Sequence, residues 1–476
     1  MKKLGIVLIS TVLAFSGLTG CAKQDDHGLD PDHPITLRLW NYYNGAQKVA
    51  FDDLIETFNQ TVGKDKGILV EVTSIGSVNN IQSELQNSLD KKVNAMPLPD
   101  IFSTYADTAE AMEEQDMLVS LKDYMSDKEM EQYITSYMEE GRLYQNEDIK
   151  IFPVAKASEI FVLNKTAWDE FTKQTNADIS KLGTWEGLNE IAKQYYEYSG
   201  KAFFGRDALM NYLNTGSAQL GNELFSVDGK SATFTASKQT LRKLWDNFYV
   251  PYIHGYYTKK GKFASDDFKT SDIIASVSSS AGATFFPKEV VIKDNETQKI
   301  EYEVLSIPNF EGCDSYAISQ GAGMAIAKSD ETREYASVLF LKWMTQPEQN
   351  IAFTAASSYL PVTKDANNVE TWEKAITDEA IEINDLTKDA IKVSMKQIED
   401  STIYTSQNFK NSFQARNYLE NEFMEIAEKD QQAVEDAMAE GKTLEEAVKL
   451  YTSDAYFEAW YAEISESLSQ ILQGQK

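Results

Sequence analysis

Ile35, Leu37 and Leu39 alternate with Thr36 and Arg38, the period of a strand that buries one face. After a turn at Asn44-Gly45 the period changes, and Phe51, Leu54, Ile55 and Phe58 recur as one face of a helix. Ile68, Val70 and Val72 alternate again, Ile81, Leu85 and Leu89 give a second helical stripe, and Pro99-Asp100-Ile101-Phe102 reads as a third strand. Strand, helix, strand, helix, strand predicts parallel pairing through right-handed crossovers, hence an α/β sheet covered by helices. The pattern returns downstream with different loops. Ile160-Phe161-Val162-Leu163 reads as a strand, and Thr184 caps a helix whose core face is Leu188, Ile191, Ala192 and Tyr195. Leu241, Leu244, Trp245 and Phe248 mark another helix. Met324, Ile326 and Ala327 belong to a strand, followed by the stripe Ala336, Leu339, Phe340, Trp343 and Met344, which Pro347 stops. From about Val369 onward the pattern is almost wholly helical and rich in Glu and Lys. No repeat of fixed period interrupts it.

The N-terminus follows a different rule. Lys2 and Lys3 precede an apolar stretch from Leu4 to Phe15, too short for the roughly 20 residues a transmembrane helix needs. Its length suits the apolar region of a signal peptide. Leu18-Thr19-Gly20-Cys21 then resembles the lipobox of bacterial lipoproteins. That resemblance implies cleavage of residues 1–20 and acylation of Cys21 (diacylglyceryl and palmitate), tethering the chain to the extracytoplasmic face of the cell membrane. Residues 21–34 are polar, with Pro31 and Pro34, and read as a linker. With Cys21 acylated, Cys313 is left without a partner, so the mature chain has no disulfide framework. The remaining roughly 440 residues are long enough for two or three domains with their own cores. A formal charge of −29 repels phosphate backbones and argues against nucleic acid as a partner.

Several short motifs then occur in a telling order. They are Leu37-Arg38-Leu39-Trp40 with Tyr42-Tyr43, Leu98-Pro99-Asp100-Ile101-Phe102 with Asp107, and Phe152-Pro153-Val154 running to Asn164-Lys165. Gly183-Thr184-Trp185-Glu186 follows, then Gln320-Gly321-Ala322-Gly323-Met324, and finally Tyr359-Leu360-Pro361-Val362. Together they resemble the family 1 extracellular solute-binding proteins, the group of the maltose- and glycerol-3-phosphate-binding proteins. The family's helix opening carries Glu where this chain has Gly187. The resemblance implies two α/β lobes of the periplasmic-binding-protein type, discontinuous in sequence, with ligand held in a hinged cleft. By that analogy the chain crosses near Lys156–Glu159, Leu305–Pro308 and Leu360, placing residues 35–155 with 308–359 in one lobe and 156–307 with 360–476 in the other. It further implies a monomeric receptor that hands a small molecule to the permease subunits of an ABC importer, with no cofactor and no catalysis.

A sugar site wants aromatic planes for apolar ring faces, and carboxylates, amides or cations for hydroxyls. Trp40, Tyr42 and Tyr43 lie just past the C-terminal end of a parallel strand, where open α/β sheets hold ligands. Trp40 reads equally as a core aromatic. Tyr105 and Asp107 share a similar loop, Asp107 reading also as a helix cap. Lys156, Ser158 and Glu159 stand on the crossover, as ligand contacts or as a buried pair stabilising the hinge. Ser279 and Ser280, within Ser278–Gly282, offer hydroxyls and backbone N–H groups, or simply form a turn. Gln320 and Gly321 allow close backbone approach, or are small for packing. Asn211 and Tyr212 complete the set.

Other chemistries lack their residues. His27 and His33 lie in the linker, leaving His254 as the one histidine of the folded body, too few for a histidine metal cluster or a Ser-His-Asp triad. Gly229-Lys230-Ser231 ends like a phosphate-binding loop, but Leu224 stands where its first glycine belongs. Gly321-Ala322-Gly323 lacks the third glycine of a dinucleotide loop, since Ile326 takes that place. The expected function is capture of a mono- or oligosaccharide. A glycerol-phosphate ligand is the alternative within binding proteins, and a two-carboxylate glycosidase is the alternative outside them.

Overall fold

The computed structural model describes residues 27–144, 148–292 and 296–475. Two sheets organise them. The first has the strand order Ile68–Ser74, Ile35–Asn41, Ile101–Thr104, Gly323–Ile326, Ile151–Phe152. Its first three strands are parallel, Leu37 facing Val70 and Leu39 facing Ile101, as the alternation predicts. Gly323–Ile326 then returns antiparallel from the far part of the chain. Helix Gly45–Gln60 buries Phe51, Leu54, Ile55 and Phe58 against this sheet, and Phe58 meets Trp343 with ring centroids 5.1 Å apart.

The second sheet runs Tyr302–Leu305, Glu159–Asn164, Ala275–Ser279, Phe204–Arg206. Glu159–Asn164 is wholly buried and antiparallel to both neighbours, because it enters straight from the crossover instead of through a helix. Around it pack helices Trp185–Ser199, Leu209–Gln219 and Lys238–Ile253. Thr184 caps the first of these through the Gly187 N–H at 3.1 Å. A Cβ at position 187 would lie 2.3 Å from the Lys181 carbonyl, so only glycine fits there. Pro347 opens helix Pro347–Ser357 just after helix Glu331–Met344 has ended.

Beyond Leu360 the chain stays first with the first core. Trp372 and Ile376 of helix Val369–Asp378 pack there. Helix Asp385–Asp400 serves both sides, with Ile391 and Met395 in the first core and Ala390 against Ile160 and Val162 of the second sheet. A short strand, Thr402–Tyr404, pairs with Tyr316–Ile318 and breaks the otherwise helical C-terminal pattern. Helices Ser412–Ala439 and Asp454–Leu472 then close over the second core through Leu419, Phe423, Trp460 and Ile464. No helix among the described residues is long and apolar enough to cross a membrane.

Candidate functional site

The lobes meet at a narrow ribbon of backbone. Lys156 and Leu360 exchange N–H···O bonds of 3.0 and 2.5 Å, and Ala157 and Gln320 exchange bonds of 2.8 and 2.9 Å. The first crossing segment is therefore hydrogen-bonded directly to the third, at Leu360, and to Gln320 of the first lobe. Lys156 is buried, its Nζ 2.7 Å from the Glu140 carboxylate and 2.7 Å from the Gly321 carbonyl. Glu159 is paired separately: its carboxylate accepts from Arg206 at 2.6 Å and from the Asn211 amide at 3.0 Å. Gln397 donates to the Glu159 carbonyl at 3.0 Å and accepts from the Ile307 N–H at 2.9 Å. Ser158 and Ser280 bond each other, the Ser280 N–H to the Ser158 carbonyl at 2.8 Å. Lys156, Ser158, Glu159 and Ser280 are thus occupied in holding the hinge.

Between the lobes lies a cavity of about 430 Å³, within the range of small-molecule sites. Seven of the fourteen residues singled out from sequence line it: Tyr42, Tyr105, Asp107, Asn211, Ser279, Gln320 and Gly321. Trp40 does not. It is 2% exposed, packed with Ile81, Leu85 and Phe102 beneath the first sheet. Tyr43 is buried one layer behind the cavity, 5.0 Å from Phe51 and 5.5 Å from Phe353. It backs Tyr42, whose hydroxyl bonds that of Tyr359 at 3.0 Å. Asp107 caps no helix. Gly321 has φ +95°, and a Cβ there would press on the Ala155 carbonyl at 3.0 Å.

These phenols stay protonated. Burial raises Tyr42 and Tyr43 well above the usual tyrosine range, with neighbouring phenols adding to it. Tyr105 is pushed up to about 12, first by withdrawal of its hydroxyl from water and then by the Glu140 and Asp107 carboxylates, Arg416 opposing. Its side chain is 39% exposed overall, so that withdrawal comes from the cleft walls and not from a core.

The opposite wall was largely hidden in the sequence. Asn211 and Asn214 reach it from helix Leu209–Gln219, and Ser406, Gln407 and Asn408 from the segment after strand Thr402–Tyr404. Phe413, Arg416, Asn417 and Glu420 come from helix Ser412–Ala439. Among the described residues, the Asn214 Nδ2, the Gln407 Oε1 and both amide atoms of Asn408 are buried without a hydrogen-bond partner. Arg416 reaches across the cleft to the Asp107 carboxylate. A second contact between the lobes places the Lys230 ammonium 4.6 Å from the centre of the Tyr144 ring. His254 lies elsewhere, its Nδ1 2.6 Å from the Val250 carbonyl. Among the described residues no group of three or more His, Cys, Asp or Glu is placed to hold a metal ion.

Residues 53–380 match the model of the bacterial extracellular solute-binding protein family, and the chain belongs to that family. Among solved structures, it is similar to UgpB from Mycobacterium tuberculosis in complex with glycerophosphocholine (TM-score 0.66, 17% identity, 93% of this chain and 99% of that one). It is similar as well to the ABC substrate-binding protein Lmo0181 from Listeria monocytogenes in complex with cycloalternan (0.65, 14%, 92% and 99%). A third is the cyclic alpha-maltosyl-1,6-maltose binding protein from Arthrobacter globiformis (0.63, 15%, 91% and 100%). At these identities the likeness is one of fold, the two-lobed periplasmic-binding-protein type. No curated protein matches the sequence.

Proposed function

We propose that this chain is the lipid-anchored receptor of an ABC importer and captures a carbohydrate between its lobes, without chemical turnover. The observation that carries this reading is the make-up of the cavity: phenols on one wall, amides with spare hydrogen-bonding capacity on the other. Hydroxyls both donate and accept, so a polyol can satisfy an amide nitrogen and an amide oxygen at once, whereas a phosphodiester group can only accept. Phenol rings supply the flat apolar surface that sugar rings cover. The proposed contacts are Tyr42, Tyr105, Tyr359, Ser279, Gln320, Gly321, Asn211, Asn214 and Asn408, with Trp40 and Tyr43 as their support. Two of the fold relatives are described with cyclic saccharides, which supports the same ligand class. Acylation at Cys21 belongs to the proposal and rests on the sequence, since residues 1–26 lie outside those described. The lobe division at 156, 308 and 360 is likewise proposed, with helix Val369–Asp378 carried by the first lobe.

A phosphodiester ligand is the second reading. Arg416 favours it, as a guanidinium within the cavity, and so does the glycerophosphocholine bound by the Mycobacterium tuberculosis relative. Calorimetry separates the two. The mature protein should give saturable heat with a malto-oligosaccharide or a cyclic glucan, and chromatography should recover the ligand unchanged. Heat with glycerophosphocholine and none with any saccharide would overturn the carbohydrate reading. Release of shorter saccharides in proportion to protein would overturn the absence of turnover.

A further inference from the structure

We propose that Asp107 is a built-in counter-anion that sets which charge class of ligand the cleft accepts. This rests on the reading of the cleft as the ligand site. Among the described residues Arg416 is the single cation lining the cavity, and its guanidinium already donates to the Asp107 carboxylate. Both side chains are largely withdrawn from water, 21% and 6% exposed, so the pair is poorly screened by salt.

Arg416 is held to the second lobe by its helix, whose Ala415 and Leu419 sit in the second core. Asp107 follows strand Ile101–Thr104 of the first sheet. The carboxylate therefore comes from the other lobe, and the cleft supplies its own anion where a ligand's anion would go. Carboxylate and phosphate present similar oxygen geometry to a guanidinium, so each competes for the same donor.

The remaining charges sharpen the discrimination. Glu140 is taken by Lys156 and by the Ser319 hydroxyl, each at 2.7 Å. Glu420, four residues beyond Arg416 on the same helix, lines the same cavity and accepts the Met210 N–H at 3.2 Å. An anionic ligand must displace Asp107, leave that carboxylate unpaired, and lie beside Glu420. A neutral polyol avoids all three costs. Specificity against a competitor is often built in this repulsive way.

The test compares wild type, Asp107→Asn and Asp107→Asn with Arg416→Gln, titrated with glycerol 3-phosphate by calorimetry. Asp107→Asn should bind it at least tenfold more tightly than wild type, and the double variant should lose that gain. No gain, or a gain that survives loss of Arg416, overturns the proposal. Wild type binding glycerol 3-phosphate as tightly as Asp107→Asn overturns it too. Circular dichroism checks the fold, and Asp107→Ser carries the same comparison if the Asn variant does not fold. A malto-oligosaccharide titration of wild type is run alongside. Its failure would sink the carbohydrate reading while leaving the glycerol 3-phosphate comparison intact.

Discussion

The first lobe meets the cleft with the phenols Tyr42, Tyr105 and Tyr359 beside the amides of Asn79 and Gln320, whereas the second meets it, among the described residues, with no phenol and with the amides Asn211, Asn214, Gln407, Asn408 and Asn417. The phenol wall is seated on a packed aromatic layer, since Tyr43, Phe353 and Phe51 stand directly behind it. The amide wall is seated on two helices and on the segment that follows strand Thr402–Tyr404, and it keeps several of its polar atoms unpaired. A flat, rigid surface suits the face of a ring, and amide edges suit its rim of hydroxyls. On the proposed reading of the cleft, the two lobes divide the work of recognition by chemistry.

The largest expected effects test what supports each wall. Glu159→Ala on the second lobe leaves Arg206 buried without its carboxylate, and should cost about 3–5 kcal/mol in urea unfolding. Trp40→Ala on the first lobe should cost a similar amount, about 3–5 kcal/mol, because it empties a core site. A Trp40→Ala protein of unchanged stability would remove that residue from the core.

Binding effects come next. Tyr105→Ala removes an exposed ring face from the cleft and should weaken saccharide binding by about 1–3 kcal/mol in calorimetry. Unchanged affinity would shift the stacking role to Tyr42. Tyr359→Phe removes one hydroxyl pairing at 3.0 Å and should shift the unfolding free energy by about 1 kcal/mol. A loss of several kcal/mol would mean that the phenol wall is held by that bond and not by the aromatic layer.

Alkaline titration gives the smallest effect near neutrality. Burial raises the Tyr105 and Tyr133 phenols to about 12, while unfolded tyrosines titrate near about 10. The folded state therefore keeps protons that the unfolded chain releases, so stability holds up to about pH 10 and declines from there towards 12. Absorbance of phenolate should show a late fraction in the folded protein. A single titration near 10 for all tyrosines would break the expectation.

Two of the three phenols were readable in the sequence because they follow strand ends, whereas Tyr359 follows helix Pro347–Ser357 and was not among the candidates. Tyr42 comes directly after the alternating strand Ile35–Asn41 and Tyr105 directly after the fully buried strand Ile101–Thr104, and parallel sheets present ligands at that edge. Trp40 is two residues too early: it still belongs to strand Ile35–Asn41 and points into the core. The amide wall had only an ambiguous signal. Ala415, Leu419 and Phe423 mark the buried stripe of a helix, and Phe413, Arg416, Asn417 and Glu420 fall on another face. Helical spacing announces that a face is polar, but not whether it meets bulk water or a cleft. The hinge ion pairs were hidden for another reason. Lys156 finds Glu140 and Glu159 finds Arg206, partners 16 and 47 residues distant that no local spacing links.

Lys156 ties the first crossing segment to the third through backbone bonds to Leu360, and to the first lobe through side-chain bonds to Gly321 and Glu140. Mechanically this makes the pivot a pinned axle, not a flexible strap. Two bodies on such an axle have one easy direction of travel, swinging, while sliding and twisting would strain several short hydrogen bonds together. On the proposed closure, the lobes approach each other along nearly the same path on every cycle. Tyr105 and Arg416, on opposite jaws, arrive in register without searching for it. A guided approach also limits the conformational entropy lost on closure, so more of each ligand contact is retained as affinity.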